Sequence, residues 1–137
     1  MSIAYVDTNV FIRYFTKDHP ELARKAGEFL DQVIEGKQEI VVLDTVIAEI
    51  IYVLTSKRLY GLSRLKASKM VESLVGLKSV RLSNKRRMVR ALELYAQTKF
   101  DFVDCLLVAN VESVPEAGLC SFEQGYQQFE QIRVVRI

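Results

Sequence analysis

The sequence predicts an α/β domain: a short, mostly parallel central sheet with helices on both faces. Three observations lead there. Brief apolar runs of strand length recur at residues 3–6, 40–43 and 119–121, and each is bounded by helix or turn signals. Between them lie segments whose apolar residues return at helical spacing, and strands alternating with helices make a parallel sheet covered on both faces. The 137 residues contain no linker, repeat or low-complexity stretch, so residues 1–137 are expected to form a single domain with its own core.

The elements follow in order. Residues 3–6 form a buried strand, followed by a helical turn over 8–15. Asp18-His19-Pro20-Glu21 starts a helix with an acid cap, a proline in the first turn and a glutamate at the third place. That helix turns Leu22, Ala26, Phe29, Leu30 and Val33 inward, and Gly36 ends it. Residues 40–43 are the second strand, and a helix over 45–57 follows, with Gly61 beyond it. The segment 63–77 is amphipathic through Ala67, Val71, Leu74 and Val75, and 80–82 is a short strand. Residues 84–98 are helical with Met88, Ala91, Leu92 and Tyr95 inward. A mostly apolar helix over 102–111, a strand at 119–121, a helical turn at 125–130 and a strand at 134–135 complete the chain. The two prolines, Pro20 and Pro115, both stand at element edges.

Composition excludes some classes of protein. Half of the residues are hydrophobic and 26% are charged, an ordinary balance for a soluble domain. No apolar run approaches the ~18 residues of a membrane span. The chain begins without a basic leader or cleavage pattern, so a cytoplasmic protein is expected. Cys105 and Cys120 lie in apolar runs and read as reduced core residues of an intracellular protein. A net charge of +2 is too small to argue nucleic-acid binding by itself.

The most informative residues are acids in apolar company. Asp7 ends the run Ile3-Ala4-Tyr5-Val6, Glu49 is the only charge between Val46 and Leu54, Asp104 interrupts an apolar helix, and Glu123 follows Leu119-Cys120-Ser121-Phe122. Asp101, one helical turn before Asp104, keeps similar company. An ionised carboxylate in an apolar setting is costly unless it is paired or bound to a metal. In parallel sheets ligands gather at the carboxyl ends of the strands. Asp7 and Glu123 stand just after strands, while Glu49 and Asp104 lie in the early turns of helices. All four are therefore expected to reach one sheet edge.

Carboxylates brought close together repel, and a hard divalent cation resolves the conflict. All-oxygen ligation with room for water suits Mg²⁺, and Mn²⁺ fits the same set. Such a site can activate water and orient a phosphodiester. The alternatives are few. His19 is the only histidine and sits at a helix start, so no histidine-based nucleophile is possible, and the six glycines are scattered singly rather than forming a phosphate loop.

These motifs resemble those of a known family. Val6-Asp7-Thr8-Asn9-Val10-Phe11-Ile12, Glu49 within a helix, Asp101-Phe102-Val103-Asp104-Cys105-Leu106-Leu107-Val108-Ala109 and Ser121-Phe122-Glu123-Gln124-Gly125-Tyr126 are similar, in order and spacing, to the four motifs of the PIN domain. The compact single-domain form most resembles the VapC-type toxins of prokaryotic toxin–antitoxin pairs. The resemblance implies a Mg²⁺- or Mn²⁺-dependent endoribonuclease. Asp7, Glu49 and Asp104 fall on the family's strongest acids, Thr8 and Asn9 are their neighbours, and Asp101 is an additional acid. Glu123 stands where the family usually has aspartate, which puts a fourth direct ligand in doubt. A small antitoxin and an RNA substrate are the implied partners. A PIN nuclease of RNA maturation or quality control, and a nuclease-dead binding module, are the rival readings. A phospho-acceptor receiver domain is set aside, because Asp7 is followed by Thr8 and Asn9 and no lysine occurs beyond Lys99.

Basic residues supply a softer signal. Lys85-Arg86-Arg87 opens a helix, where the macrodipole disfavours cations by ~0.3–1 kcal/mol each; phosphate binding and a solvated helix face both account for it. Lys57, Arg58, Arg64, Lys66 and Lys69 form a second basic region with the same two readings. Arg13 is expected to contact substrate or a partner acid. Tyr14, Phe15, Tyr52 and Tyr60 are expected in the core or an interface. The apolar crowding over 46–60 points to a homodimer or a partner surface.

Overall fold

The computed structural model describes residues 2–137. Strand β1 (Ile3–Tyr5), β2 (Glu39–Val41) and β3 (Val80–Arg81) form a parallel sheet in the order β1-β2-β3, with Ala4 beside Ile40 and Ile40 beside Val80. The helices are α1 (Thr8–Thr16), α2 (Pro20–Ile34), α3 (Asp44–Thr55), α4 (Arg64–Val75), α5 (Lys85–Gln97) and α6 (Phe102–Glu112). Because the strands are parallel, their carboxyl ends lie on one side, where Asp7, Asp44 and Asn84 lead into α1, α3 and α5. The α/β class expected from the sequence is the class observed.

The predicted central sheet is divided. Strand β4 (Gly118–Cys120) pairs in parallel with β5 (Arg133–Val135) as a separate two-stranded sheet. Residues 121–132 make the crossover that a parallel pair requires, and a 3-10 turn (Gln124–Gln128) occupies its middle.

Helix starts follow capping chemistry. Asp7, Ser63 and Asn84 each accept a backbone N–H near the start of α1, α4 and α5. The acid cap expected for α2 is instead His19, whose Nδ1 accepts the Leu22 N–H at 3.2 Å. Pro20 takes the first helical position, so the residue immediately before it becomes the cap. Asp18 is drawn elsewhere: it accepts from Arg13 at 3.0 Å, from Thr16 at 3.0 Å and from Tyr60 at 2.5 Å.

One core cluster runs from Val6 to Phe129. Ile47, Ile50, Ile51 and Leu54 of α3 are fully buried, each contributing ~1.5–3 kcal/mol of apolar burial. Every residue expected inward on α4 and α5 is buried, but Leu22 of α2 is exposed. One further expectation is corrected: Cys105 is buried whereas Cys120 is exposed at the end of the short β4. Of the two places expected for Tyr52, the core is excluded, since it is 67% exposed on α3 where the helix turns it away from the buried stripe. Among the described residues no helix is long and apolar enough to cross a membrane.

Candidate active site

The connection from α5 to α6 shapes the acidic region. The Arg64 side chain lies 3.7 Å over the Tyr95 ring, its Nε donates to the Tyr95 carbonyl at 2.9 Å, and another guanidinium nitrogen donates to the Phe100 carbonyl. A residue whose charge suggested a solvated or phosphate-binding role thus satisfies one carbonyl in the last turn of α5 and one in the connection to α6. Phe100 stacks on Tyr126 with centroids 5.2 Å apart and packs against Phe129 at 5.2 Å. Gly125 is required at this contact, since a Cβ there would stand 2.9 Å from the Phe100 ring. The start of α6 and the 3-10 turn are thereby pressed together.

Asp101, Asp104 and Glu123 line one cleft of ≈ 740 Å³ with Lys99, Gln97, Gln128 and Phe100. Asp101 is the N-cap of α6 without a side-chain cap bond, and Asp104 lies in its first turn, where the helix dipole favours anions. Asp104 is half-buried, whereas Asp101 and Glu123 are exposed. Tyr126 is buried among Phe100 and Phe129. Burial first, then Asp104 and the nearby Glu123 charge, push the Tyr126 phenol up to about 12. It therefore stays a donor at any ordinary pH.

Asp7 and Glu49 do not line this cleft. Asp7 caps α1, with Oδ1 accepting the Thr8 N–H at 2.8 Å, and lines a second cleft of ≈ 580 Å³ with Asn9, Arg13, Leu22, Lys25 and Phe29. Thr8 is buried and Asn9 exposed. Glu49 is exposed on α3, on the side away from the buried stripe. Among the described residues no three His, Cys, Asp or Glu side chains form a group that could hold a metal ion. Apolar neighbours along the chain are not neighbours in space here: Asp7, Glu49, Asp101 and Glu123 are exposed and Asp104 is half-buried.

Among the described residues, Asp7, Glu49, Asp101, Asp104 and Glu123 have no salt-bridge partner, whereas Asp18, Glu21, Glu28, Glu35, Glu39, Glu93 and Glu112 do. The candidate cations have mostly local partners. Arg13 pairs with Asp18 at 3.0 Å, so its partner acid is not Asp7. Lys85 donates to the Leu77 carbonyl at 2.7 Å and Arg87 to Asn110 at 3.0 Å, while Arg86 is exposed with no hydrogen bond or ion pair among the described residues. Those contacts favour the structural reading for Lys85 and Arg87. Sequence reasoning missed Tyr126 and Lys99 as parts of the acidic region; the spacing of Tyr126 three residues after Glu123 was the available signal for the former.

A protein-family model described as the PIN domain matches residues 4–114. The chain belongs to the PIN domain family. PIN domains are generally nucleases that use divalent metal ions, and the match covers Asp7, Glu49, Asp101 and Asp104 but ends before Glu123. No curated protein matches the chain.

By chemistry, the donors in the Asp101–Asp104–Glu123 cleft suit a hard divalent ion: they are carboxylate oxygens, open to water, in no salt bridge among the described residues, with Lys99 lining the same cleft. Mg²⁺ keeps several waters and is commonly held by one or two carboxylates together with substrate phosphate. A tight group of three is therefore not a requirement, and the cleft fits such an ion.

Proposed function

We propose that this PIN domain is a Mg²⁺- or Mn²⁺-dependent endoribonuclease and the toxin of a VapBC-type pair. The observation that carries the nuclease reading is the set of acids without protein cations on a fold whose members are generally nucleases. Asp104, in the first turn of α6, would hold the ion, with Asp101 and Glu123 beside it and Asp7 and Glu49 contributing from neighbouring elements. When bound there, a divalent ion lowers the pKa of water and neutralises charge on a phosphodiester. The chain's own residues orient and screen: Asp7 is fixed by the Thr8 N–H, Asn9 and Thr8 flank it, and Lys99 places a cation beside the acids where an RNA phosphate would lie.

The toxin reading rests on the resemblance to VapC-type proteins and is supported by two surfaces. The cleft beside Asp7 is lined by Leu22, Phe29, Val10 and Ala26, a shape suited to an apolar antitoxin segment whose arginine or lysine pairs with the acids. Exposed Tyr52 and Leu59 suit the same partner or a second copy in a homodimer.

The test is cleavage of structured RNA by the purified chain with Mg²⁺ or Mn²⁺, stopped by chelator. Expression of the chain alone should arrest growth, Asp7→Asn should be harmless, and an adjacent small gene should restore growth. Normal growth alongside confirmed metal-dependent cleavage would move the protein to RNA maturation.

A further inference from the structure

We propose that Lys57, Arg58, Lys66 and Lys69 form a surface that holds the sugar-phosphate backbone of RNA beside the acidic cleft, continuing outward from Lys99 inside it. The choice of RNA rests on the ribonuclease reading above; the proposal adds where the rest of the substrate lies.

Placement comes from one knot of contacts at Tyr95. The Tyr95 hydroxyl donates to the Thr55 hydroxyl at 3.3 Å, at the last residue of α3. Arg64, the first residue of α4, lies 3.7 Å over the Tyr95 ring and donates to the Tyr95 carbonyl at 2.9 Å. Residues 56–63 are therefore a loop whose two ends close on one side chain. The Leu62 N–H, donating to the Leu54 carbonyl at 2.8 Å, keeps that loop tight. Arg64 also donates to the Phe100 carbonyl, and Phe100 stands between Lys99 and Asp101 in the lining of the cleft. Lys57 follows Thr55 by two residues and Lys66 follows Arg64 by two, so each Cα lies within about 7 Å of the knot's own chain. Arg58 is next to Lys57, and Lys69 shares a face of α4 with Lys66.

The charges are left to solvent. All four cations are exposed, and none makes a side-chain hydrogen bond or ion pair among the described residues. Of the five cations in this region, only Arg64 is turned inward. The nearby acids do not neutralise the rest: Glu72, the one acid of α4, is in no ion pair, and Asp18, which meets the loop through Tyr60, is paired with Arg13. Lys66 also stands in the first turn of α4, where the helix dipole opposes a cation. Like charges gathered around one loop repel, and a polyanion relieves that repulsion while releasing its own counterions. RNA is the polyanion that fits, because the Tyr95 knot carries this surface to the cleft where the phosphodiester would be cut.

The test uses a fluorescent 20-nucleotide oligouridylate with chelator present, so that binding is read without metal and without cleavage. Replacing all four cations with glutamine should weaken binding and lower the slope of log affinity against log salt by about 3, from four charges at ~0.7 each on a single strand. The cooperative unfolding transition should be retained, since all four side chains are exposed. Lys37→Gln with Lys78→Gln, at the amino ends of β2 and β3, is the control and should leave the slope unchanged. In cleavage with Mn²⁺, the advantage of the 20-mer over a 4-mer in kcat/KM should fall by about tenfold in the fourfold variant. An unchanged slope in that variant, an equal fall per charge in the control, or a wild type that binds no oligouridylate overturns the inference. An unchanged slope joined to lost binding of phosphatidylserine vesicles would give the surface to a membrane instead. A slope that falls as stated, with no cleavage by the wild type in Mg²⁺ or Mn²⁺, overturns the ribonuclease reading and leaves the RNA surface standing.

Discussion

The two ends of α6 treat charge in opposite ways. At its start, Asp101 and Asp104 face a water-filled cleft with no ion-pair partner among the described residues. At its far end, Glu112 is only 15% exposed at the side chain and receives the Arg90 guanidinium at 2.7 Å, and two residues earlier Asn110 accepts from Arg87 at 3.0 Å. An acid at a helix C-terminus opposes the macrodipole, so Glu112 is tolerable there because Arg90 offsets it. The hydrogen bond to Glu112 in turn holds the Arg90 pKa above its ordinary value. Charge paired within the protein ties α5 to α6; charge left to solvent and ligands marks the other end as the place where something binds.

The largest expected effect breaks that contrast at the acidic end. Asp104→Asn, Asp7→Asn and Glu49→Gln should each lower the rate of RNA cleavage by about a hundredfold or more, since several kcal/mol of charge stabilisation is at stake. The variants should fold as well as wild type or better, because each removes a charge from a set of like charges. Near-full activity in two of the three would return these acids to ordinary surface residues.

At the paired end the effect should fall on stability instead. Glu112→Gln leaves the half-buried Arg90 with only the more exposed Glu93 at 3.6 Å as an ion-pair partner and should cost about 1 kcal/mol of unfolding free energy. Cleavage per folded molecule should stay at the wild-type level. A urea titration beside a cleavage assay separates the outcomes, and a drop in activity without loss of stability would contradict the division.

Smaller still is the effect at the start of α5. Lys85 and Arg87 already serve Leu77 and Asn110, so Arg86 is the residue of this trio whose loss should matter to RNA. If it meets a phosphate, Arg86→Gln lowers the slope of log affinity against log salt by about 1. An unchanged slope makes it a solvated helix residue.

The smallest effect tests pairing far from α6. Tyr60 first, then Arg13 and Thr16, hold Asp18 down from 3.8 to about 2, against the opposing effect of burial. A depressed carboxyl contributes stability above its unfolded pKa and loses it as pH falls toward the folded value. The difference in urea midpoint between wild type and Tyr60→Phe should therefore persist at pH 5 and above and shrink as pH falls from about 4 to about 2. A difference that stays constant over that window would assign the Tyr60 contribution to packing.

How much was legible depended on the range of the forces involved. Element order was readable because helix and strand periods are local, and Ala67, Val71, Met88 and Tyr95 turned inward as their spacing required. The cap of α2 was misplaced because two polar residues precede Pro20: the proline takes the first helical position and makes His19 the cap, while Arg13, Thr16 and the distant Tyr60 hold Asp18. Cys120 misled because apolar neighbours along a chain do not guarantee burial: a short strand end leaves it in water.

The sequence by itself determined the α/β class, the order of its elements and the acids that could serve a metal, since these follow from local periodicity and from residue type. Only the tertiary structure decided which charges are neutralised within the protein, that Arg64 holds carbonyls at and just beyond the end of α5, that the sheet divides in two, and that Phe100, Tyr126 and Phe129 form one cluster. Those outcomes depend on which distant groups come within a few ångströms of one another, and hydrogen bonds and ion pairs act only at that range.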